Sequence, residues 1–390
     1  MRQTHVLLKK SAALILAAMI TLSLTSCDSN GAAPESENAG ISAQPPSDIV
    51  EMNSSAYIQR IEKELDTNLK VSADVLMPAS SDCKEYQLKH RDFTPDELSN
   101  IFLKDDESGK KLSTYESGFE IVTENGANIN AQKRGFTYTE DSLRTDEIVG
   151  LFEHYYNPDS PAMTEELSFM PREDAIQKGI GIIQQLDIAC TPRAGNIVAL
   201  TNKQLSDLQS ALMQDSRYKG FYDAGKSIEI KDWSDADDAY YITYYFVQDD
   251  IQLYEQDNEP SVSMAVEWFP GSIKAEMLIT SKGIRYMKLD GALSFDGQPT
   301  SKKIISVDEA MDKLKDKYSQ VMLTEPYTVT KIYLEYLTIP EKDKKPLEAM
   351  QTLRPYWCFI IQVLEDDNGQ IFEKAERFNA FAGADLSYGG

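Results

Sequence analysis

A glycine-containing segment in the middle of the chain has the residue types of a phosphate-binding loop. Residues 220–227, GFYDAGKS, satisfy the spacing G-x-x-x-x-G-K-[ST], in which backbone amides and the lysine surround phosphate oxygens. That chemistry requires an apolar strand before the loop and a helix after it. Here a polar helix end, 209–217, comes before the loop, and a strand-like alternation, 228–231, follows it. We interpret the segment as a chance match and predict that the protein binds no nucleotide.

A run of acidic residues follows, with the oxygen ligands that calcium prefers. Residues 232–238, DWSDADD, lack the glycine at the sixth position and the closing glutamate of a calcium-binding hand loop. We interpret the run as a solvated turn before the next strand, with weak calcium binding near Asp235 as the alternative.

Cysteine and histidine are too sparse to indicate a thiol- or imidazole-based site. Cys83, Cys190 and Cys358 lie far apart in the chain, and there are three histidines in all. None of these residues has a partner at metal-ligand spacing. We expect isolated, largely buried thiols, we predict no metal or other cofactor, and whether two of the thiols form a disulfide stays open.

Charge and composition limit the classes of partner and of chemistry. Lys and Arg number 39 against 63 Asp and Glu, a formal net charge of −24, which disfavours binding to nucleic acid. The acids would permit a glycoside-hydrolase pair, but nothing marks a particular pair. Neither G-x-S-x-G nor H-E-x-x-H occurs. We expect a protein that is not an enzyme, with a carboxylate-dependent hydrolase of envelope or dietary polymer as the alternative.

The first 26 residues have the layout of a secretory signal peptide. Arg2, Lys9 and Lys10 precede a short apolar stretch, 11–24, which is too short for a stable membrane span. The stretch leads into the tetrapeptide LTSC that ends at Cys27, and this end resembles the lipobox of bacterial lipoproteins.

The resemblance implies a lipid anchor at Cys27. It implies diacylglycerol on the thiol, cleavage in front of the cysteine, and acylation of the new amine by a fatty acid such as palmitate. Several acyl chains hold a protein on a membrane. Residues 27–48 are rich in small and polar residues and form a tether. We expect an extracytoplasmic protein anchored to the cell membrane, with an ordinary secreted protein as the alternative.

The remaining chain is predicted to be an α+β body with two or three units of a helix packed on an antiparallel meander. The predicted domains are 49–165, 166–301 and 302–390. Successive strand patterns with short turns favour meanders, and they fall at 239–247, 262–269, 273–280 and 283–289, and at 329–337, 356–364 and 370–380.

Capping sequences and apolar spacing predict the helices. Thr94 with Glu97 has the spacing of a capping box, with Pro95 at the first helical position, and a further helix start is predicted at 305–311. Further helices are predicted over 139–156 and 201–213, and another after the start at 167–176, with Ile176, Ile180, Ile183 and Leu186 on its inner face. A helix is also predicted over 55–69, because Ile58, Ile61 and Leu65 are spaced three and four apart.

The strand over 239–247 carries aromatic residues on both faces. One face must be core, and the other, with Tyr241 and Tyr245, is a candidate surface for a ligand or a partner. The alternative is a strand that is buried on both sides.

Four short motifs follow one another between residues 303 and 388. They are the helix start SVDEA at 306–310, the strand IYLEY at 332–336, LRPYW at 353–357 and NAFAG at 379–383. Their order resembles the PepSY-type and YycI-like extracytoplasmic modules of Gram-positive bacteria, although Phe381 departs from the polar residue usual in the last motif. The whole chain is also similar to uncharacterised lipoproteins of gut Firmicutes.

The resemblances imply a binding or regulatory role and bring no catalytic residues. Within the module, Trp357 is predicted to lie in the core, on the strand face that packs on Met311, Leu314 and Tyr318 of the helix. Pro355, which cannot donate a ladder hydrogen bond, is predicted just before that strand. We therefore expect a non-enzymatic module that recognises a peptide, an envelope protein or a wall component.

Overall fold

Two sheets and four helices form the part of the chain that the structure, a computed structural model, describes. The described residues are 57–104, 106, 108–141, 145, 148–149, 165–214, 219–220, 223, 231–254, 273–340, 351–365 and 370–381. The helices are α1 (Pro95–Phe102), α2 (Arg172–Gln185), α3 (Asn202–Gln214) and α4 (Val307–Ser319). The predicted α+β class is confirmed, and the described body is rich in strand.

Seventeen strands are present in the described residues. They are β1 (Tyr57–Asp66), β2 (Leu69–Met77), β3 (Asp82–His90), β4 (Lys110–Tyr115), β5 (Gly118–Thr123), β6 (Asn128–Gln132), β7 (Gly135–Thr139), β8 (Thr191–Leu200), β9 (Ala239–Gln248), β10 (Ile251–Gln252), β11 (Lys274–Thr280), β12 (Gly283–Asp290), β13 (Leu293–Phe295), β14 (Thr300–Lys303), β15 (Tyr327–Pro340), β16 (Gln351–Glu365) and β17 (Gln370–Asn379).

Strands from both ends of the described chain form one sheet, here called the terminal sheet. Its order is β1-β2-β15-β16-β3-β13, with β17 paired to β16 and β14 paired to β3. Strands β2 and β15 run parallel, whereas the other pairs are antiparallel. The predicted meander of the last three strands is confirmed by the pairing of β16 with both β15 and β17.

The middle of the chain forms the second sheet, here called the central sheet. Its order is β10-β9-β11-β12-β7-β6-β5-β4, and β8 pairs with β9. The predicted succession of 239–247, 273–280 and 283–289 is confirmed as β9, β11 and β12, while 262–269 lies outside the described residues.

One apolar cluster draws buried side chains from both sheets and from three helices. Trp357 is 1% exposed in it and donates its indole N–H to the Ile305 carbonyl at 3.0 Å. It shares the cluster with Met311, Leu314 and Tyr318 of α4, so the predicted core position is confirmed. The sheets are also joined through the backbone, where the amide of Tyr254, just after β10, donates to the carbonyl of Tyr336 in β15 at 2.8 Å.

The sheets cross the predicted domain boundaries. Residues 49–165 supply β1–β3 to the terminal sheet and β4–β7 to the central sheet, because periodicity identifies a strand without identifying its partner. Among the described residues, 206–214, 219–220, 223 and 231–233 form a compact unit of their own. In that unit, Gln209 exchanges two hydrogen bonds of 3.1 Å with the Lys231 backbone.

The helix predicted over 55–69 is wrong, because residues 57–66 form β1 and residues 67–68 the turn after it. Ile61 and Leu65 are four residues apart, a spacing that places two side chains on one face of either a helix or a strand. Ile58 points to the other side and is 50% exposed. Because β1 pairs with β2 along its whole length, the segment is a strand and not a helix.

Pro355 lies inside β16, and not just before the strand as predicted. It stands where one edge of β16 changes partner, from β3 at residues 351–353 to β17 at residues 356–365. The missing proline N–H therefore falls in a break between two ladders, while the Pro355 carbonyl accepts from the Ala380 amide at 3.0 Å.

Candidate functional site

A cleft of about 350 Å³ lies where strands of both sheets come together. Its apolar lining includes Leu76, Ile251 and Leu334, and the Cys83 thiol lies among them. Its charged residues are Asp82, Lys84, Asp249 and Asp250. A concave site with an apolar lining and a few polar groups is typical of ligand binding.

Two tight turns position these carboxylates. Asp249 and Asp250 connect β9 to β10, and both have left-handed backbone conformations, with φ of 50° and 60°. A two-residue hairpin turn needs such conformations, which aspartate tolerates better than most residues. On the other side, the Ser80 hydroxyl accepts from the Asp82 amide at 3.0 Å, which fixes the turn between β2 and β3.

One of the three carboxylates, that of Asp249, is hydrogen-bonded to other residues of the protein. Asp249 accepts from the Tyr86 hydroxyl at 2.5 Å, from the Lys84 ammonium at 3.3 Å and from the Gln248 amide at 3.2 Å. The Asp82 carboxylate makes no hydrogen bond or ion pair within the described residues, and Asp250 approaches Arg193 only at 4.0 Å. The Asp82 carboxylate is thus left for an external group, and Asp250 has only this long ion pair between exposed side chains.

The thiol and the phenol beside Asp249 are held in their protonated forms. Burial, and then the charges of Asp249 and Asp82, raise the pKa of Cys83 to about 11. Burial and the hydrogen bond to Asp249 raise the pKa of Tyr86 above its ordinary value. At neutral pH neither group is ionised, so neither is an activated nucleophile. The cleft is better suited to binding than to covalent catalysis.

The predicted aromatic surface on β9 is largely closed. Tyr241 is 3% exposed, so its ring is not open to a ligand, and Tyr245 is only partly exposed. Tyr240 and Tyr244 point to the opposite face and lie in the core shared with α2. Their burial together with that of Tyr241 agrees with the alternative of a strand covered on both sides.

Three aspartates of the acidic run accept hydrogen bonds from nearby residues. Asp237 accepts from the amide and hydroxyl of Ser234 at 3.0 and 2.9 Å, and Asp235 and Asp238 accept from Asn202 at the start of α3. Burial, and then the neighbouring charges of Asp235 and Asp237, raise the pKa of Asp238. No group of three or more His, Cys, Asp or Glu in the described residues is arranged to hold a metal ion.

Cys83, Cys190 and Cys358 are free thiols in the structure. Burial raises the pKa of Cys358 well above its ordinary value, and burial and the charge of Asp249 also raise the pKa of Cys190. Cys27 lies outside the described residues, as does most of the glycine-containing loop 220–227. Within the described residues, no helix is both long and apolar enough to cross a membrane.

Comparison with known proteins gives a likeness in fold. No family model matches the chain, and no curated protein matches it. A crystal structure at 1.45 Å resolution of an uncharacterized protein from Eubacterium rectale is similar, with a TM-score of 0.55 and 14% sequence identity. The similarity covers 86% of this chain and 96% of the other. At this identity, the likeness extends to the fold alone.

Proposed function

We propose that the protein is a membrane-anchored, extracytoplasmic binding or regulatory protein without enzymatic activity, whose ligand occupies the cleft. The ligand would be a peptide, an envelope protein or a wall component. The observation that carries the proposal is that two carboxylates of the cleft, Asp82 without an ion pair in the described residues and Asp250 with only a long one to Arg193, lie beside a thiol and a phenol that stay protonated. Such a site offers charge and shape to a ligand without an activated nucleophile.

The proposed anchor is lipid on Cys27, with residues 27–48 as the tether that carries the body away from the bilayer. The tetrapeptide LTSC and the preceding apolar stretch support it. In this proposal, α4 with β15–β17 is a PepSY-like unit, and α2 with β8, β9, β11 and β12 is a second helix-on-meander unit.

Metabolic labelling tests the anchor. Full-length chain and a Cys27→Ser variant are expressed in a Gram-positive host that is fed an alkyne analogue of palmitate, and membrane and soluble fractions are compared. We expect label and membrane association for the native chain and loss of both for the variant. Unlabelled native chain in the soluble fraction would contradict the anchor.

Site-specific photocrosslinking tests the binding role of the cleft. A benzophenone amino acid replaces Ser301, which lines the cleft, in the full-length chain on living cells. Lys315, exposed on α4, is the matched control position. We expect a discrete crosslinked product from position 301 and none from position 315. The same products from both positions, or none from either, would contradict binding at the cleft.

A further inference from the structure

The charges that line the cleft are unbalanced toward the negative. Asp82, Asp249 and Asp250 face a single ammonium group, that of Lys84. Lys84 is already paired with Asp249 at 3.3 Å, and Arg193 is 4.0 Å from Asp250. The carboxylate of Asp82 forms no ion pair within the described residues, and Lys303 stands opposite it in the β3–β14 ladder. A cation is therefore the group that this cleft is short of.

The negative charge of the cleft also affects the ionisation of the Cys83 thiol and the Tyr86 phenol. The carboxylates of Asp249 and Asp82 both disfavour a thiolate at Cys83, and Asp249 disfavours a phenolate at Tyr86. Carboxylates that converge on one cleft also attract a positive group.

The size and the apolar lining of the cleft select among cations. About 350 Å³ is near the lower end of the range for ligand sites, roughly 300 to 1,000 Å³, and suits one long side chain. Leu76, Ile251 and Leu334 offer an apolar surface for methylene groups, which gain from leaving water. A metal ion would make no use of that surface.

We propose that the cleft binds a lysine-type side chain of a peptide, with the ammonium group at Asp82 and Asp250 and the methylene chain against Leu76, Ile251 and Leu334. This assignment rests on the proposed function and names the ligand of the same site. The Tyr86 and Gln248 hydrogen bonds to Asp249 hold the β9–β10 turn and thereby position Asp250.

Calorimetric titration of the full-length chain in nonionic detergent tests the assignment. The probes are acetylated and amidated Gly-Lys-Gly and Gly-norleucine-Gly, which differ in the ammonium group at the end of the side chain. We expect measurable binding of the lysine peptide only. Equal binding of both peptides, or no binding of the lysine peptide, would overturn the proposal.

A charge-matched pair of variants separates the cleft from the general acidity of the protein. In the test variant, Asp82→Asn and Asp250→Asn remove the two carboxylates proposed to bind the ammonium group. In the control, Asp312→Asn and Asp316→Asn remove two exposed carboxylates of α4. Because hydrogen bonds to charged groups are strong, we expect about a tenfold or greater loss of affinity in the test variant and little change in the control. An equal loss in both variants would overturn the proposal.

Protection of Cys83 provides a measurement on the native chain that does not depend on a variant folding. The rate of its alkylation by N-ethylmaleimide is followed by mass spectrometry at mildly alkaline pH, with each peptide present. We expect the lysine peptide to slow alkylation of Cys83 and the norleucine peptide to have no effect. Binding without protection of Cys83 would place the peptide elsewhere and overturn the assignment.

Different experiments would contradict the proposed ligand class and the proposed function. A specific crosslink from position 301, together with no binding of the lysine peptide, would reject the lysine-type ligand and retain the binding role. Absence of that crosslink would count against the binding role itself.

Discussion

Helices α2 and α4 each pack on one of the sheets, but they do so in opposite ways. Helix α4 turns large side chains inward, and Met311, Leu314 and Tyr318 are buried in the core. Helix α2 turns small residues inward, and Ala175 and Gly179 are buried on its inner face together with Ile183.

The two helices also differ in the hydrogen bonds at their starts. Ser306 and Glu309 cap α4 reciprocally, with hydrogen bonds of 2.7 and 3.2 Å. Helix α2 begins after Pro171, which offers no side-chain cap. Instead, the amide of Arg172, the first residue of α2, donates to the Glu166 carboxylate at 2.9 Å. The start of α4 is thus capped reciprocally by its own N-cap and first turn, whereas α2 depends on a carboxylate six residues before its first residue.

Removing a large side chain from α4 should have the largest effect. Leu314 is fully buried, and we expect Leu314→Ala to lower the free energy of unfolding by about 2–5 kcal/mol through lost burial and a cavity. Chemical denaturation of the native chain and the variant measures the difference. Lys315→Ala, one residue away and exposed, is the control, and an equal effect there would contradict the packing role of Leu314.

Adding a side chain to α2 should be the next most disruptive change. A Cβ on Gly179 would lie 1.9 Å from the Tyr244 hydroxyl and 3.1 Å from the Met277 sulfur. We expect Gly179→Ala to cost about 1–3 kcal/mol by overpacking, less the gain in helix propensity. In a Tyr244→Phe background the nearest atom is gone, so a double-mutant cycle by denaturation should show the cost reduced. An unchanged cost would place the strain elsewhere. The partly exposed Gly181 has open space around its Cβ position, and Gly181→Ala serves as the control.

Substitutions at the helix starts should have smaller effects on stability, and these effects should differ between the two helices. We expect Ser306→Ala to cost about 1 kcal/mol, because the Ser306 hydroxyl no longer accepts from the Glu309 amide or donates to the Glu309 carboxylate. Pro171→Ala removes no side-chain hydrogen bond at the start of α2 and should cost less. Thermal unfolding followed by circular dichroism compares the two, and equal costs would remove the proposed contrast.

The smallest expected effect is a dependence of the α4 cap on pH. Hydrogen bonds from the backbone and side chain of Ser306 lower the pKa of Glu309. A lowered folded-state pKa stabilises the fold above the unfolded value, near 4.5, and this contribution is lost as the pH falls through the folded value. The difference in stability between the native chain and Glu309→Gln should therefore be present at neutral pH and shrink in acid. Denaturation at a series of pH values measures it, and a constant difference would mean that the charge of Glu309 does not contribute.

The contrast between the two helices also explains what could be predicted from the sequence. The capping box at Thr94 and the inward face of Trp357 depend on neighbours in sequence or on simple alternation, and both are confirmed. The small inward residues of α2 depend on tyrosines of β9, and the contact from Tyr244 to Ile176 spans 68 residues of sequence. No local pattern predicts such residues.

Pairing over long distances limits prediction most strongly. The strand β8 escapes a search for alternation because its first half reads TPRAGN, and β1 satisfies the spacing of a helix. The cleft is formed by residues from distant parts of the chain, although Asp249-Asp250 between the aromatic strand and Ile251 is a usable signal for its tight turn. Alternation correctly separates the two faces of β9, but it does not reveal that Tyr241 is covered.

The parallel pairing of β2 with β15 has a consequence for how the protein folds. Leu69 lies opposite Tyr327, so the sheet needs both ends of the described chain before its middle can form. Contacts of such large sequence separation make folding slow and leave early strands with unpaired edges. A chain that stops before residue 327 would expose the inner edge of β2 and be prone to aggregation. The body can therefore complete its fold only after synthesis has passed β16.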